Sequence, residues 1–269
     1  MRFNVNVSIL FKEHPFLERF ARAGEAGFSA VEFWWPTGED VALVEEAVLD
    51  SGLEVALFNF DAGDMAAGDR GFAGDPERYE RFLENVPVAL DLAERIGCKR
   101  LNALIGHEVP GRREEQLELA KENVRYAADE AARRGIEVTV EAINTFENGP
   151  FLLNTTEQGV RFVGGIEREN VSFQYDVYHM QRMEGNLVAN LQEHISHIGH
   201  VQIADSPGRN EPGTGEIHYA YVLAELEALG YDGYVGLEYN PSDGETLASL
   251  AWIPEAARRG DTNPKTLDL

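Results

Sequence analysis

The chain has 269 residues, enough for one large α/β domain with a full core. With 43% hydrophobic and 26% charged residues it is globular in composition, and no apolar run approaches the roughly 18 residues of a membrane span. Its 47 acidic and 23 basic residues leave a formal charge of −24, which repels a phosphate backbone and argues against nucleic acid, and its one cysteine, Cys98, excludes an internal disulfide.

An apolar, strand-like run followed by an amphipathic stretch recurs about every 30 to 40 residues, as in βα units around a parallel sheet. The first unit is a strand over Phe3 to Ser8 and a helix from Pro15 to Ala26, stopped at Gly27. The opening M-R-F-N-V-N-V-S-I-L-F carries Asn4 and Asn6 inside its apolar run and reads as a strand, not as a signal peptide. Ala30 to Trp35 is the second strand, with a helix over Val41 to Leu49, and Leu53 to Phe60 is the third. The glycine- and aspartate-rich segment D-A-G-D-M-A-A-G-D-R-G-F-A-G-D is too long for a minimal connection and reads as a lid or binding loop.

A helix from Pro76 to Ile96 leads to strand four, Arg100 to Ile105, and a helix from Glu114 to Arg134 leads to strand five, Ile136 to Ile143. A helix over Thr156 to Val163 precedes strand six, which starts at Val171. A helix over Leu187 to His197 precedes strand seven, Gly199 to Ala204. Tyr219 to Leu229 is helical, and Tyr234 to Leu237 is strand eight. Eight units with no linker-like break predict a single (β/α)8 TIM barrel over 1–269, with a closing helix and a loose polar tail at about 260–269.

Four of these strands end on oxygen-bearing side chains. Strand five ends at Glu141, strand six at Asp176, strand seven carries Gln202 and strand eight delivers Glu238, each about one βα unit from the next. In a closed barrel the strand C-termini form the rim that carries chemistry. Three carboxylates and an amide oxygen there suit a hard divalent cation, Mg²⁺ or Mn²⁺, without which the crowded carboxylates would have to protonate. The competing reading is that each acid caps a helix independently. After Asp176 a turn is expected to carry Tyr178 and His179, and His179, beside the acid, is a candidate substrate hydrogen-bonding group. The run His194, His197, His200 is not read as a zinc site, because His200 lies across a glycine at the start of the next strand. Trp34 and Trp35 alternate across a strand, one toward the barrel and one outward, and read either as pocket lining or as core filling.

The segments Y-D-V-Y-H-M-Q-R-M-E-G, H-V-Q-I-A-D-S-P-G-R-N-E-P-G-T-G-E-I-H-Y, E-Y-N-P, A-G-D-M-A-A-G-D-R-G and N-V-S-I-L-F strongly resemble the hydroxypyruvate isomerase family, a group of xylose isomerase-like barrels. The likeness runs through nearly the whole chain. It implies that Glu141, Asp176, Gln202 and Glu238 hold the metal, that Glu141 and Glu238 also pass the proton, and that His179 and Arg209 hold the substrate. Glu147 is a further candidate for orienting a substrate hydroxyl, and Asn6 a weaker one. The implied reaction interconverts hydroxypyruvate and 2-hydroxy-3-oxopropanoate by metal-assisted proton transfer through an enediolate. Two points depart from or blur the pattern. Asn240 stands where relatives often carry lysine, and a sister group isomerises four-carbon 2-oxo acids. A ketose 3-epimerase of the same superfamily, or a metal-stabilised small-acid binder without activity, would carry much the same residues. The expected partner is a small 2-oxo or hydroxy acid, with neither nucleic acid nor membrane, and the expected location is the cytoplasm. A homo-oligomer is compatible with the composition, which does not set subunit number.

Overall fold

In the computed structural model, which describes residues 1–269, the apolar runs form eight parallel strands closed into a barrel in sequence order. The strands are β1 (Arg2–Asn6), β2 (Ala30–Phe33), β3 (Glu54–Asn59), β4 (Arg100–Ala103), β5 (Glu137–Glu141), β6 (Val171–Asp176), β7 (Ile198–Ile203) and β8 (Tyr234–Leu237). Around them run α1 (Arg19–Glu25), α2 (Val41–Ser51), α3 (Tyr79–Ile96), α4 (Arg113–Ala132), α5 (Thr145–Asn148), α6 (Thr156–Gly164), α7 (Val177–Met183), α8 (Leu187–His194) and α9 (Tyr219–Ala228). Two short helices, α10 (Thr246–Ser249) and α11 (Glu255–Arg258), stand in place of a single closing helix. Parallel neighbours require a crossover for every strand, which is why helix and strand alternate throughout. No helix is long and apolar enough to cross a membrane.

Side chains alternate along each strand, and here the alternation separates two interiors. Phe3, Val5, Val31, Phe33, Val138, Val140, Val201 and Ile203 are buried in one apolar cluster with helix residues such as Phe20, Val86 and Leu223. The lumen is polar. β2 and β7 are not neighbours in the closed order, yet Glu32 Oε2 lies 2.7 Å from His200 Nε2, and Glu32 Oε1 accepts from Gln202 Nε2 at 2.6 Å. Only side chains pointing into the barrel can meet in that way. Barrels of this architecture usually fill the lumen with branched apolar residues. This one buries Asn4, Asn6, Glu32, Asn102, Thr139, Gln174 and His200 instead.

Several boundaries differ from the sequence reading for local reasons. Residues 16–18 form a 3₁₀ turn ahead of α1, and β1 stops at Asn6, whose Oδ1 accepts from the Ser8 amide at 3.0 Å. The expected turn after Asp176 is the helix α7, nucleated when Asp176 Oδ1 accepts from the Tyr178 and His179 amides at 2.7 and 3.2 Å. The tail is not loose. Thr262 N donates to Met1 O at 2.8 Å, Asp268 N donates to Trp252 O at 3.0 Å, and Pro264 is buried.

The glycine-rich segment after β3 is anchored more firmly than a swinging lid. Phe72 and Ala73 are buried, Gly71 N donates to Ala62 O at 2.9 Å, and Gly74 N donates to Ile105 O at 2.9 Å. Gly71 has φ +91°, and a Cβ there would stand 1.9 Å from the Leu104 carbonyl oxygen. Gly71→Ala is therefore expected to destabilise the protein by about 1–3 kcal/mol or more in urea unfolding, through overpacking against backbone and an unfavourable φ. Unchanged stability would mean that this loop is not docked on the segment after β4.

Candidate active site

Residues from β5, β6, β7 and β8 converge at the C-terminal mouth of the lumen. The Gln174 amide bridges two of them, donating through Nε2 to Glu141 Oε2 at 3.1 Å and to Gln202 Oε1 at 2.7 Å. Gln202 Nε2 donates in turn to Glu238 Oε1 at 3.2 Å. On the far side Arg209 Nη2 hydrogen-bonds Glu238 Oε2 and lies 3.9 Å from Asp176 Oδ2. The four residues expected at strand ends are thus linked in one polar cluster, of which Glu141 and Glu238 line the cavity above it while Asp176 and Gln202 do not. Asp176 reconciles the two readings of it. One carboxylate oxygen caps α7, and the other, Oδ2, is buried without a hydrogen-bond partner.

The carboxylates are buried close enough to repel one another. Burial raises the Glu141 carboxyl well above its ordinary range, and the charges of Glu238 and Asp176 raise it further. Burial pushes Asp176 up to about 7 against the pull of Arg209, with Glu238 adding to the rise. Glu238 is raised by burial, partly offset by Arg209 and joined by repulsion from Glu32. Without a compensating cation such a cluster relieves itself by holding protons.

One donor atom from each of Glu141, Asp176 and His179 lies within 4.8 Å of the others. The hydrogen bonds decide how His179 acts there. Asn144 Oδ1 accepts from the Phe146 and Glu147 amides, both at 3.1 Å, which turns its Nδ2 toward His179 Nδ1 at 2.7 Å. An amide N–H donating to Nδ1 leaves the proton of the neutral ring on Nε2. That nitrogen stands 3.5 Å from Asp176 Oδ2 and 3.8 Å from Glu141 Oε1. Burial and the nearby charges of Arg209 and Arg70 lower the His179 pKa well below its usual value. His179 is therefore a neutral N–H donor facing the acids, suited to a substrate oxygen more than to a metal. Gln202 has its amide nitrogen committed to Glu32 and Glu238, and its oxygen accepts only from Gln174, which leaves a lone pair free.

The remaining expected site residues fall in different places. Asn6 is buried and does not line the cavity; its Nδ2 donates to Glu238 Oε1 at 2.8 Å and to Glu32 Oε1 at 3.2 Å. Glu147 does not line it either. Its side chain is 41% exposed and its carboxylate accepts from the Tyr178 hydroxyl, which gives it a place behind the rim. Trp34 lines the cavity and donates to Glu238 Oε1 at 2.7 Å, while Trp35 packs on Phe58 with ring centroids 6.4 Å apart. His200 is inside the barrel, His197 is exposed and His194 half-buried, so the three histidines share no site.

The cavity over the acids has a volume of about 210 Å³, below the roughly 300–1,000 Å³ of drug-sized ligand sites. Glu141, Glu238, His179 and Arg209 line it, together with Arg70, Met65 and Ala66 from the glycine-rich loop. A larger hollow of about 400 Å³ lies at the strand N-termini around Arg100, Glu137 and Tyr231, away from the acid cluster. Sequence reading missed Arg70, Gln174 and Glu32. Arg70 lies within A-G-D-M-A-A-G-D-R-G, while the other two are polar residues at inward-facing strand positions, the signal that would have found them.

A closed eight-stranded barrel with acids at the C-terminal rim defines the class, and the family model for the xylose isomerase-like TIM barrel matches residues 20–256. The chain is 41% identical over 94% of its length to hydroxypyruvate isomerase from Escherichia coli (strain K12), covering 98% of that relative. It is 39% identical over 94% of its length to 2-oxo-tetronate isomerase from Cupriavidus necator, covering 97% of it. A crystal structure described as AP endonuclease, family 2, from Brucella melitensis superposes with a TM-score of 0.89 at 41% identity, with 94% of this chain and 97% of that one covered. The chain belongs to the hydroxypyruvate isomerase family of xylose isomerase-like TIM barrels.

Proposed function

We propose that the protein is an isomerase of small 2-oxo acids that interconverts hydroxypyruvate and 2-hydroxy-3-oxopropanoate. The observation that carries the proposal is the pair of buried glutamates, Glu141 and Glu238, with raised pKa values on one small cavity. The relatives' names supply the substrate class. A nuclease reading, prompted by one structural relative's description, is opposed by the charge of −24 and by the small size of the cavity.

Glu141, Asp176, Gln202 and Glu238 would hold a divalent cation, Mg²⁺ or Mn²⁺. The unpartnered Asp176 Oδ2 and the spare lone pair of Gln202 Oε1 support that set. When bound, such a cation polarises a carbonyl and acidifies the neighbouring C–H by stabilising developing negative charge. One glutamate then takes a proton from C3 of hydroxypyruvate and the other delivers one to C2, while the hydroxyl proton passes from the C3 oxygen to the C2 oxygen. His179 Nε2–H donates to a substrate oxygen. Arg209 holds Glu238 in place, and its unpartnered Nε is a further donor.

The deciding experiment gives the protein hydroxypyruvate, four-carbon 2-oxo acids and neutral ketoses, each with and without EDTA, and follows product and solvent deuterium at the exchanging carbon. Metal-dependent turnover confined to the acids is expected. Turnover of ketoses alone would move the protein to the epimerases, and binding without deuterium incorporation would make it an inactive binder.

Metal should stabilise the fold increasingly as pH rises. A carboxyl raised to about 7 in the fold, against an ordinary Asp value of about 3.9 unfolded, contributes stability that is full below the unfolded value and lost as pH climbs through the folded one. Metal binding displaces those protons and so strengthens over the same window. The rise in Tm on adding Mn²⁺ is expected to be larger at pH 8 than at pH 5.5. A shift independent of pH would separate the cation from these carboxylates.

A further inference from the structure

The substrate proposed above is an anion, and the cavity has to offer its carboxylate a cation. Two arginines line the cavity. Arg209 is the counter-charge of the acid cluster, bonded to Glu238 and 3.9 Å from Asp176. Arg70 is different, because every acceptor it touches is neutral. Its Nε donates to Asn148 Oδ1 at 2.8 Å, and its Nη1 donates to the carbonyls of Met65 and Asp69 at 2.9 and 2.7 Å. The adjacent Asp69 carboxylate is taken by Arg78 at 2.7 Å. Nη2 of Arg70 makes no hydrogen bond. A guanidinium stays charged in proteins, and one held half out of water, with the neighbouring Asp69 carboxylate bonded to another arginine, is a ready anion receptor.

We infer that Arg70, not Arg209, receives the substrate carboxylate and so makes the site select 2-oxo acids over neutral ketoses. The inference rests on the isomerase reading and completes it. The substrate lies with its reacting carbons over Glu141 and Glu238 and its carboxylate on Arg70, inside a cavity of about 210 Å³. The frame that holds Arg70 also holds His179. Asn148, which accepts from Arg70, donates through Nδ2 to Asn144 O at 3.2 Å, and Asn144 fixes the His179 ring. The two substrate-facing donors are thereby held at a set spacing, which the docked loop around Gly71 maintains.

The test compares wild type, Arg70→Gln and Arg70→Lys as full-length, Mn²⁺-loaded proteins, with hydroxypyruvate and with dihydroxyacetone, its neutral three-carbon analogue. Arg70→Gln is expected to raise KM for hydroxypyruvate roughly 30-fold or more, as for loss of a desolvated charge partner, with a much smaller change in kcat. Arg70→Lys, which keeps the charge but not the Nη2 donor held in place by the bonds to Asn148, Met65 and Asp69, is expected to fall between. Deuterium exchange into dihydroxyacetone is expected to fall far less than turnover of hydroxypyruvate in both. A wild-type KM in Arg70→Gln, or equal losses toward the acid and the neutral analogue, would overturn the assignment. If Arg70→Gln does not fold, Arg70→Lys decides alone, an unchanged KM counting against the proposal. Should wild type turn over no acid, the isomerase reading fails separately. Calorimetric titration with hydroxypyruvate then decides on Arg70, since equal affinity in wild type and Arg70→Gln would refute it.

Discussion

Glu141→Gln and Glu238→Gln are each expected to lower kcat for hydroxypyruvate by about 10²- to 10⁴-fold, the contribution of a positioned general base or acid. Glutamine keeps the shape and one acceptor oxygen, so the Asn102 and Gln174 amides on Glu141, and the Asn6 amide and Trp34 indole N–H on Glu238, retain partners. Folding should survive both changes. The two variants should differ in what they still do. The one that has lost the base at C3 incorporates no solvent deuterium into hydroxypyruvate. The one that has lost only the donor at C2 exchanges the C3 hydrogen yet makes no 2-hydroxy-3-oxopropanoate. Calorimetric measurement of Mn²⁺ affinity separates lost proton transfer from lost metal. Normal kcat in both variants with metal bound would end the two-glutamate scheme.

The ends of the strands are legible in the sequence because a parallel barrel puts them all on one rim, and an acid at such a position is rarely there for packing. Asp176 also marks where that legibility stops. In the sequence its capping and site roles compete, whereas the carboxylate has two oxygens, one capping the helix and the other buried without a partner. Arg70 is hidden by its surroundings, since a run of glycine and aspartate reads as exposed loop until the docking of Phe72 and Gly71 is seen. The tail D-T-N-P-K-T-L-D-L looks loose because its polar composition carries no apolar period. Yet Asn263 caps a short turn there and the backbone pairs with Met1 and Trp252. Glu32 is inconspicuous for the opposite reason. In A-V-E-F it is one polar residue in a short strand, and only the closed barrel reveals that its neighbours across the lumen are also polar.

That buried carboxylate is the basis of the second large effect. Glu32 is fully buried, and although burial alone would raise its pKa, the His200 ring and hydrogen bonds from His200, Asn4 and Gln202 hold it below the ordinary value. β8 leaves room for it with Gly236, where a Cβ would stand 2.4 Å from Glu32 Oε2. Glu32→Leu removes an acceptor for Asn4, Asn6, His200 and Gln202 together, and is expected to cost roughly 3–5 kcal/mol in urea unfolding of the metal-free protein. It should also weaken Mn²⁺ binding by about 10- to 100-fold, because Glu32 is the nearer of the two acceptors that hold the Gln202 nitrogen and so helps to fix which way its amide faces. Pairing Glu32→Leu with His200→Leu is expected to recover part of the stability, since both members of the 2.7 Å contact are then apolar, but not the metal affinity, since Gln202 still lacks the nearer acceptor of its nitrogen. A double variant that regained both would show that Glu32 acts on the site only through the general stability of the barrel.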